Sequence, residues 1–222
     1  EHLVRTRLVC LENTHNRGSG RIQPYENVVE ICQWADENGL RRHLDGARLF
    51  NAAVASGIAV ADWAKHFDTV SVCFSKGLGA PVGSALAGSK ELIKRARWAR
   101  KLFGGGMRQA GIIAAGALYA MENNIERLAE DHANAQVLAR AIRQSEGLTL
   151  QPDAVDTNIL ISHVEPSLGT ASEFVDAMRV EGVLAMATAP QLIRLVTHLD
   201  VSAEQVAKAC EVIKRVADSL AK

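Results

Sequence analysis

Two short motifs of this 222-residue chain carry groups that can do chemistry. The first is HLDGAR at residues 43–48, and the second is SKGLGAP at residues 75–81, whose Lys76 follows Asp45 by 31 positions (76 − 45). Together they supply a carboxylate for a protonated pyridine nitrogen and an amine for a Schiff base, the two groups that pyridoxal 5'-phosphate (PLP) chemistry requires. Either residue alone indicates little, but the two motifs at this spacing predict a PLP site.

The elements that must position these groups are strands. Residues 41–45 form a strand-like run that ends at Asp45, and residues 68–74 form another that ends just before Lys76. Further strands are expected at residues 6–11 and 84–87, with a helix from Pro24 to Gly39. This order favours an α/β layer with parallel strands, which presents ligand-binding residues at the carboxyl ends of its strands.

Each motif also has a plainer alternative. Asp45-Gly46 is typical of a type I′ hairpin turn, but no alternating strand follows and residues 49–53 look helical. Lys76 alone would be an ordinary surface lysine in a turn, although its two neighbouring glycines let the backbone pass close to a ligand. Arg48, three residues after Asp45, can hold a phenolic oxygen of the cofactor or a substrate carboxylate.

A basic helix from Ser89 to about Leu102 is followed by a glycine triplet at residues 104–106 and by Arg108. Three interpretations compete: a solvated face, a nucleic-acid patch, and a phosphate site built from Lys101, the glycines and Arg108. The lack of a recognised nucleic-acid-binding motif disfavours the nucleic-acid patch. A second helix, residues 107–122, is apolar almost all round, so we expect it to be buried.

The remainder of the chain predicts a small α+β domain over residues 123–222, after a larger cofactor-binding domain over residues 1–122. The patterns T-x-x-E from residue 170 and S-x-x-Q from residue 202 predict capped helix starts. Arg194 lies inside an apolar strand and therefore needs a partner, either a bound carboxylate or a structural aspartate. The histidine spacings match no zinc-binding pattern, so no metal is expected.

Composition is that of an ordinary globular protein, with 48% hydrophobic residues, 23% charged residues and a formal net charge of zero. Zero charge gives no electrostatic argument for nucleic-acid or membrane partners and is compatible with self-association. No signal peptide or membrane-spanning segment is recognisable. The four cysteines form no C-x-x-C pair, and we interpret them as buried thiols of a cytoplasmic protein: Cys10, Cys32, Cys73 and Cys210.

Five blocks of the sequence resemble the motifs of low-specificity L-threonine aldolases. They occur in that family's order and span nearly the whole chain: LENTHN (11–16), HLDGARLFNA (43–52), SKGLGAPVGS (75–84), GGGMRQ (104–109) and RLVTHLD (194–200). The resemblance implies the PLP fold type I, like that of aspartate aminotransferase, with this chain forming part of the large mixed-sheet domain and the small C-terminal domain. It also implies a homotetramer built from dimers.

The resemblance further implies an aldehyde-lyase that cleaves L-threonine or L-allo-threonine to glycine and acetaldehyde. By matching position, Lys76 would hold the cofactor covalently, Asp45 would pair with its pyridinium nitrogen, and Ser75 would lie beside them. Arg48 and Arg194 would bind the cofactor phenolate and the substrate carboxylate.

Three more residues match basic or histidine positions of the family. Lys101 and Arg108 are similar to residues that reach the cofactor or substrate, across a dimer interface, and His2 to a histidine near the substrate side chain. The base for the β-hydroxyl is open between His2, a histidine from outside this chain, and an ordered water.

The family carries a long N-terminal stretch that this chain lacks, and there it supplies a Gly-Thr phosphate loop, a histidine stacked on the pyridine ring and much of the dimer interface. We therefore expect the chain to be the C-terminal part of a longer protein, with the missing N-terminal segment as its partner. Two alternatives stand beside the aldolase. One is another fold-type-I enzyme, a β-eliminating lyase or an aminotransferase; the other is a non-catalytic fragment acting as an assembly partner.

Overall fold

A computed structural model describes residues 5–221, so His2 lies outside the described residues. The chain divides into two compact units. The first comprises Glu1–Thr14 and Ile22–Glu126, and the second comprises His15–Arg21 and Arg127–Lys222. A seven-residue segment near the start of the chain thus belongs to the second unit.

The first unit is built on a four-stranded mixed sheet in the order β1-β2-β3-β4. Its strands are β1 (Leu8–Glu12), β2 (Arg41–Gly46), β3 (Thr69–Cys73) and β4 (Ser84–Gly88). The first three strands run parallel, and β4 runs antiparallel to β3. The carboxyl ends of three neighbouring strands therefore meet at one edge of the sheet, called the carboxyl edge below.

Five helices accompany this sheet: α1 (Tyr25–Glu37), α2 (Leu49–Ser56), α3 (Val60–Ala64), α4 (Lys90–Leu102) and α5 (Gly111–Asn123). Helix α1 buries Val28, Cys32 and Ala35, and the first two pack in one core with Leu44 of β2 and Val70 of β3. Burying a side chain of this kind stabilises the fold by roughly 1.5–3 kcal/mol. This core therefore fixes α1 on β2 and β3, the two strands that lead to Asp45 and Lys76.

The prediction that the second apolar helix is buried is wrong. Along α5, Ile112 is 87% exposed and Tyr119 is 63% exposed, and only Ala120 is buried. The all-round apolar pattern predicts that the helix is covered, but it does not say by which chain. Within residues 5–221, no other part of the chain covers the exposed side chains of α5, such as those of Ile112 and Tyr119.

The second unit is an antiparallel sheet in the order β5-β6-β8-β7, packed with three helices. The elements are α6 (Leu128–Arg143), β5 (Leu148–Leu150), β6 (Ile159–Val164), α7 (Ala171–Val180), β7 (Met186–Ala189), β8 (Leu192–Val196) and α8 (Ala203–Leu220). Thr170 and Ser202 each form the predicted capping box, at the starts of α7 and α8.

The cysteines are only partly as expected. Cys32 is buried, and Cys73 and Cys210 are half-buried, but Cys10 is exposed. Cys10 lies on β1, which pairs with β2 on one side and, within residues 5–221, has no strand on its other side. No helix in the described part of the chain is long and apolar enough to cross a membrane.

Asp68 joins the amino ends of β2 and β3. Its Oδ2 accepts hydrogen bonds from the backbone N of Arg42 at 2.8 Å and from Arg42 Nε at 3.3 Å, and its Oδ1 accepts from Arg41 Nη1 at 3.0 Å. Burial alone would raise the pKa of this carboxyl, but the hydrogen bonds from Arg42 and Arg41 lower it below the ordinary value of 3.8. The ionised form is therefore bound more strongly in the folded protein than in the unfolded chain.

We expect Asp68→Asn to lower the free energy of unfolding at neutral pH by about 2 kcal/mol, because it removes charge-assisted hydrogen bonds. A folded-state pKa below the unfolded one gives stability that is complete above 3.8 and is lost as the pH falls through the folded value. The difference between wild type and variant should thus shrink in denaturant titrations as the pH is lowered below 3.8. Asp62→Asn, which breaks only an exposed pair with Lys65, is the matched control and should change little. A difference that persists at acid pH would contradict this account.

Gly46, at the end of β2, is required by close packing. A Cβ added there would lie 2.7 Å from the backbone oxygen of Ser71 and 3.1 Å from the Cβ of Leu49. We expect Gly46→Ala to destabilise the protein by about 1–3 kcal/mol, measured by thermal or denaturant unfolding. Gly111→Ala, where a Cβ meets nothing within 4 Å, is the control and should be neutral or stabilising. Equal effects of the two substitutions would refute the packing argument.

Candidate active site

Asp45 lies at the carboxyl edge, where the strand ladder fixes its backbone. In the ladder it stands between Glu12 of β1 and Ser71 of β3, and its carbonyl oxygen accepts a hydrogen bond from the backbone N of Asn13 at 3.0 Å. Its side-chain Oδ1 accepts from the backbone N of Ala47 at 3.0 Å, which holds the carboxylate over the turn. Asp45 is exposed, so its carboxylate is accessible to a ligand.

The hairpin alternative for Asp45-Gly46 is wrong. A type I′ turn needs a positive φ at both central residues, and neither residue has one. A helix, α2, follows at Leu49 instead of a returning strand. Arg48 precedes this helix directly and is half-buried.

Lys76 is carried by a tightly hydrogen-bonded loop after β3. The backbone N of Gly79, at φ +72°, donates to the carbonyl of Lys76 at 2.9 Å, and the backbone N of Ala80 donates to the carbonyl of Phe74 at 2.9 Å. The buried Leu78 anchors the loop, and its carbonyl accepts a hydrogen bond from Asn124 Nδ2 at 2.7 Å. The anchored loop leaves the Lys76 side chain exposed.

Ser75 also lies in this loop and is exposed, with its Oγ 3.4 Å from Cys73 Sγ. Four of the predicted site residues thus lie at or shortly after the carboxyl ends of two neighbouring parallel strands: Asp45, Arg48, Ser75 and Lys76. This edge of a parallel sheet is where ligands bind in open α/β folds.

Lys101 and Arg108 are exposed, at the end of α4 and in the loop that follows. The glycine loop between them uses its own backbone donors, since the N–H groups of Gly104 and Gly105 donate to the carbonyls of Lys101 and Arg100. These donors close the end of α4. They are therefore unavailable to an anion, which removes two donors from the phosphate site that the sequence allows here.

Arg194 lies on β8 in the second unit, and the structure gives it a partner that the sequence did not predict. Its Nη2 donates to Asn16 Oδ1 at 3.1 Å, so the partner is an amide and not an aspartate. Its Nε is buried and has no hydrogen-bond partner within the described residues. Burial lowers the pKa of Arg194, which indicates a partly desolvated cation.

Asn16 is the residue that sequence reasoning missed. It belongs to the LENTHN block, and the block's place in a family pattern was the only sign of importance that the sequence offered. The described residues contain no cluster of histidine, cysteine or carboxylate side chains that could hold a metal ion.

Comparison with known proteins connects this geometry to curated relatives. The low specificity L-threonine aldolase of Escherichia coli (strain K12) is 44% identical over 209 residues, which cover 93% of this chain and 59% of that protein. The low-specificity L-threonine aldolase 1 of Arabidopsis thaliana is 41% identical over 202 residues, or 90% of this chain and 56% of that protein. The chain therefore spans a little more than half the length of these relatives.

Solved structures establish the fold. A threonine aldolase of Leishmania major matches with a TM-score of 0.81 over 98% of this chain and 63% of that one, at 23% identity. A tryptophan decarboxylase of Catharanthus roseus matches with a TM-score of 0.70 over 96% of this chain and 51% of that one, at 15% identity. The predicted α/β architecture of PLP fold type I is confirmed.

The model of one protein family, described as beta-eliminating lyase, matches residues 1–165. This range includes the carboxyl edge with Asp45 and the loop with Lys76. Because the match covers well over half of the 222 residues, the chain belongs to the beta-eliminating lyase family.

Proposed function

We propose that the complete protein is a PLP-dependent aldehyde-lyase that cleaves L-threonine or L-allo-threonine to glycine and acetaldehyde. The observation that carries the proposal is the exposed pair of Asp45 and Lys76 at one sheet edge. The 44% identity to a low specificity L-threonine aldolase directs the choice of reaction.

The residues at the carboxyl edge fit PLP. Asp45 Oδ1 accepts a hydrogen bond from the Ala47 backbone, which leaves acceptor capacity for a pyridinium N–H. Lys76 projects from an anchored loop whose glycines allow close approach of a ligand. Bound PLP would supply an electron sink for negative charge at the substrate α-carbon.

Each residue has a defined task in this proposal. Lys76 Nζ would hold the cofactor through a Schiff base, and the Asp45 carboxylate would keep the pyridine nitrogen protonated. Arg48 would bind the phenolic oxygen, Ser75 would support the cofactor, and Arg194 would bind the substrate carboxylate. The buried Arg194 Nε without a partner supports the last role, because a carboxylate oxygen would satisfy it.

The remaining assignments concern groups near the substrate and the neighbouring subunit. Lys101 and Arg108 would reach the site from a neighbouring subunit, which their exposure allows. The base for the β-hydroxyl is His2, a histidine from the missing segment, or an ordered water.

We also propose that the active protein is a cytoplasmic homotetramer built from dimers, and that it includes an N-terminal segment beyond this chain. Two observations support an oligomer and an additional N-terminal segment. The relatives are longer than this chain, and large apolar side chains of α4 and α5 are exposed, among them Trp98 (68%) and Ile112 (87%). Apolar patches of this kind mark surfaces that another segment or subunit covers.

In the complete protein loaded with PLP, we expect borohydride reduction and peptide mapping to place the pyridoxyl group on Lys76, and threonine to yield glycine and acetaldehyde. Lys76→Ala should lose the adduct, whereas Asp45→Asn should keep bound PLP and lose kcat by about 10²-fold or more, because an amide cannot hold the ring nitrogen protonated. Lys90→Ala, at the start of α4, is the surface control.

An adduct on another lysine, or a normal kcat for Asp45→Asn with PLP bound, would refute these roles. Release of ammonia or a keto acid in place of acetaldehyde would identify a β-eliminating lyase or an aminotransferase. A protein that never acquires the visible absorbance of bound PLP would favour the non-catalytic alternative.

We expect the isolated 222-residue chain to bind PLP weakly and to bind it tightly once the N-terminal segment is supplied. The reason is that the relatives are longer than this chain, and that the backbone N–H groups of Gly104 and Gly105, two candidate phosphate donors, already close the end of α4. Titration of PLP into the chain, with and without the segment, measures both affinities by absorbance. Stoichiometric binding and threonine cleavage by the chain alone would overturn this expectation.

A further inference from the structure

The segment of residues 15–21 is fastened to the second unit by a buried serine. Ser19 is fully buried, and its Oγ accepts a hydrogen bond from the backbone N of Ile161 at 3.0 Å and donates to the carbonyl of Ile159 at 3.3 Å. Strand β5 pairs with Ser162–Val164 of β6. Ser19 forms its hydrogen bonds with the part of β6 that precedes this pairing. This side chain takes the place of a neighbouring strand there.

Two further contacts fasten the segment. Thr157 Oγ1 donates to the carbonyl of Gly20 at 2.7 Å, and Arg21 Nε forms an ion pair with Asp156 Oδ2 at 2.7 Å. The ends of the segment close on each other, since the backbone N of His15 donates to the carbonyl of Arg21 at 3.0 Å. Asn16 is therefore held on a short loop whose other end is anchored in the sheet.

The amide oxygen of Asn16 is an uncharged hydrogen-bond acceptor for Arg194. An amide oxygen fixes the guanidinium by a hydrogen bond but carries no net charge, whereas an aspartate at the same place would pair with the cation and neutralise it. The remaining charge of Arg194 and its unpartnered, buried Nε are thus kept for an anion.

We infer that Asn16 is a positioning residue that orients the guanidinium of Arg194 for the substrate carboxylate and leaves its positive charge uncompensated. The inference rests on the proposed function only in naming that carboxylate as the ligand of Arg194. The inference also explains why residues 15–21 are anchored: the loop holds the amide oxygen of Asn16 at hydrogen-bonding distance from Arg194 on β8.

The test uses the complete protein loaded with PLP and two small amines, glycine and ethanolamine, which differ in the carboxylate. Dissociation constants are measured from the absorbance change of the bound cofactor, and melting temperatures are measured for every variant. The variants are Asn16→Ala, Asn16→Asp and Arg194→Lys, with the exposed neighbour Arg17→Ala as control.

We expect Asn16→Ala to weaken glycine binding by about tenfold, as for loss of one hydrogen bond to a charged group, with ethanolamine binding unchanged. Asn16→Asp should keep or raise the melting temperature but weaken glycine binding at least as much, because it neutralises Arg194. A purely structural role of Asn16 predicts the opposite, namely that the aspartate, which retains the acceptor oxygen, restores glycine binding.

The outcomes separate this inference from the proposed function. If Arg194→Lys weakens glycine binding but both Asn16 variants bind glycine normally, the positioning role is overturned and the proposed function stands. If Arg194→Lys leaves glycine binding unchanged, the carboxylate role of Arg194 is wrong, and the inference fails with it. A wild-type protein that binds neither PLP nor glycine refutes the proposed function itself.

Discussion

The parallel pairing of β1, β2 and β3 is the constraint on which the site of the first unit depends. Parallel strands put their carboxyl ends at the same edge, so Asp45 and the loop of Lys76 emerge side by side although 31 positions (76 − 45) separate them in the sequence. The core of α1 and α2 against β2 and β3 holds this pairing together. The ladder also explains why Gly46 cannot carry a side chain, since β3 passes too close.

Much of the site's immediate frame could be predicted from the sequence. The strands before Asp45 and Lys76 and the capping boxes at Thr170 and Ser202 rest on local patterns, namely alternation and side chain-to-backbone hydrogen bonds within one turn. Short strands such as β5 and β7 have too few residues to show a period, and they depend on their neighbours in the sheet.

What the sequence could not predict are the contacts between distant residues. The exposure of α5 depends on which surfaces lie opposite it, and a hydrophobic pattern reports only that the helix needs a cover. Asn16 and Arg194 are 178 positions apart, and the notion that an arginine in an apolar strand needs a partner does not identify an amide so far away. Roles tied to a family pattern, such as that of Lys101, come from the resemblance and not from local physics.

The anchoring of residues 15–21 in the second unit has a consequence for how the chain folds. The contact of Ser19 with Ile159 closes a loop of 140 positions, so the residues that complete the second unit are synthesised long before the strand that receives them. A closure of this length has an entropic cost and is slow compared with local hairpins and helices. The second unit is thus a discontinuous domain: an excised piece that begins at Arg127 would lack the hydroxyl that pairs with β6.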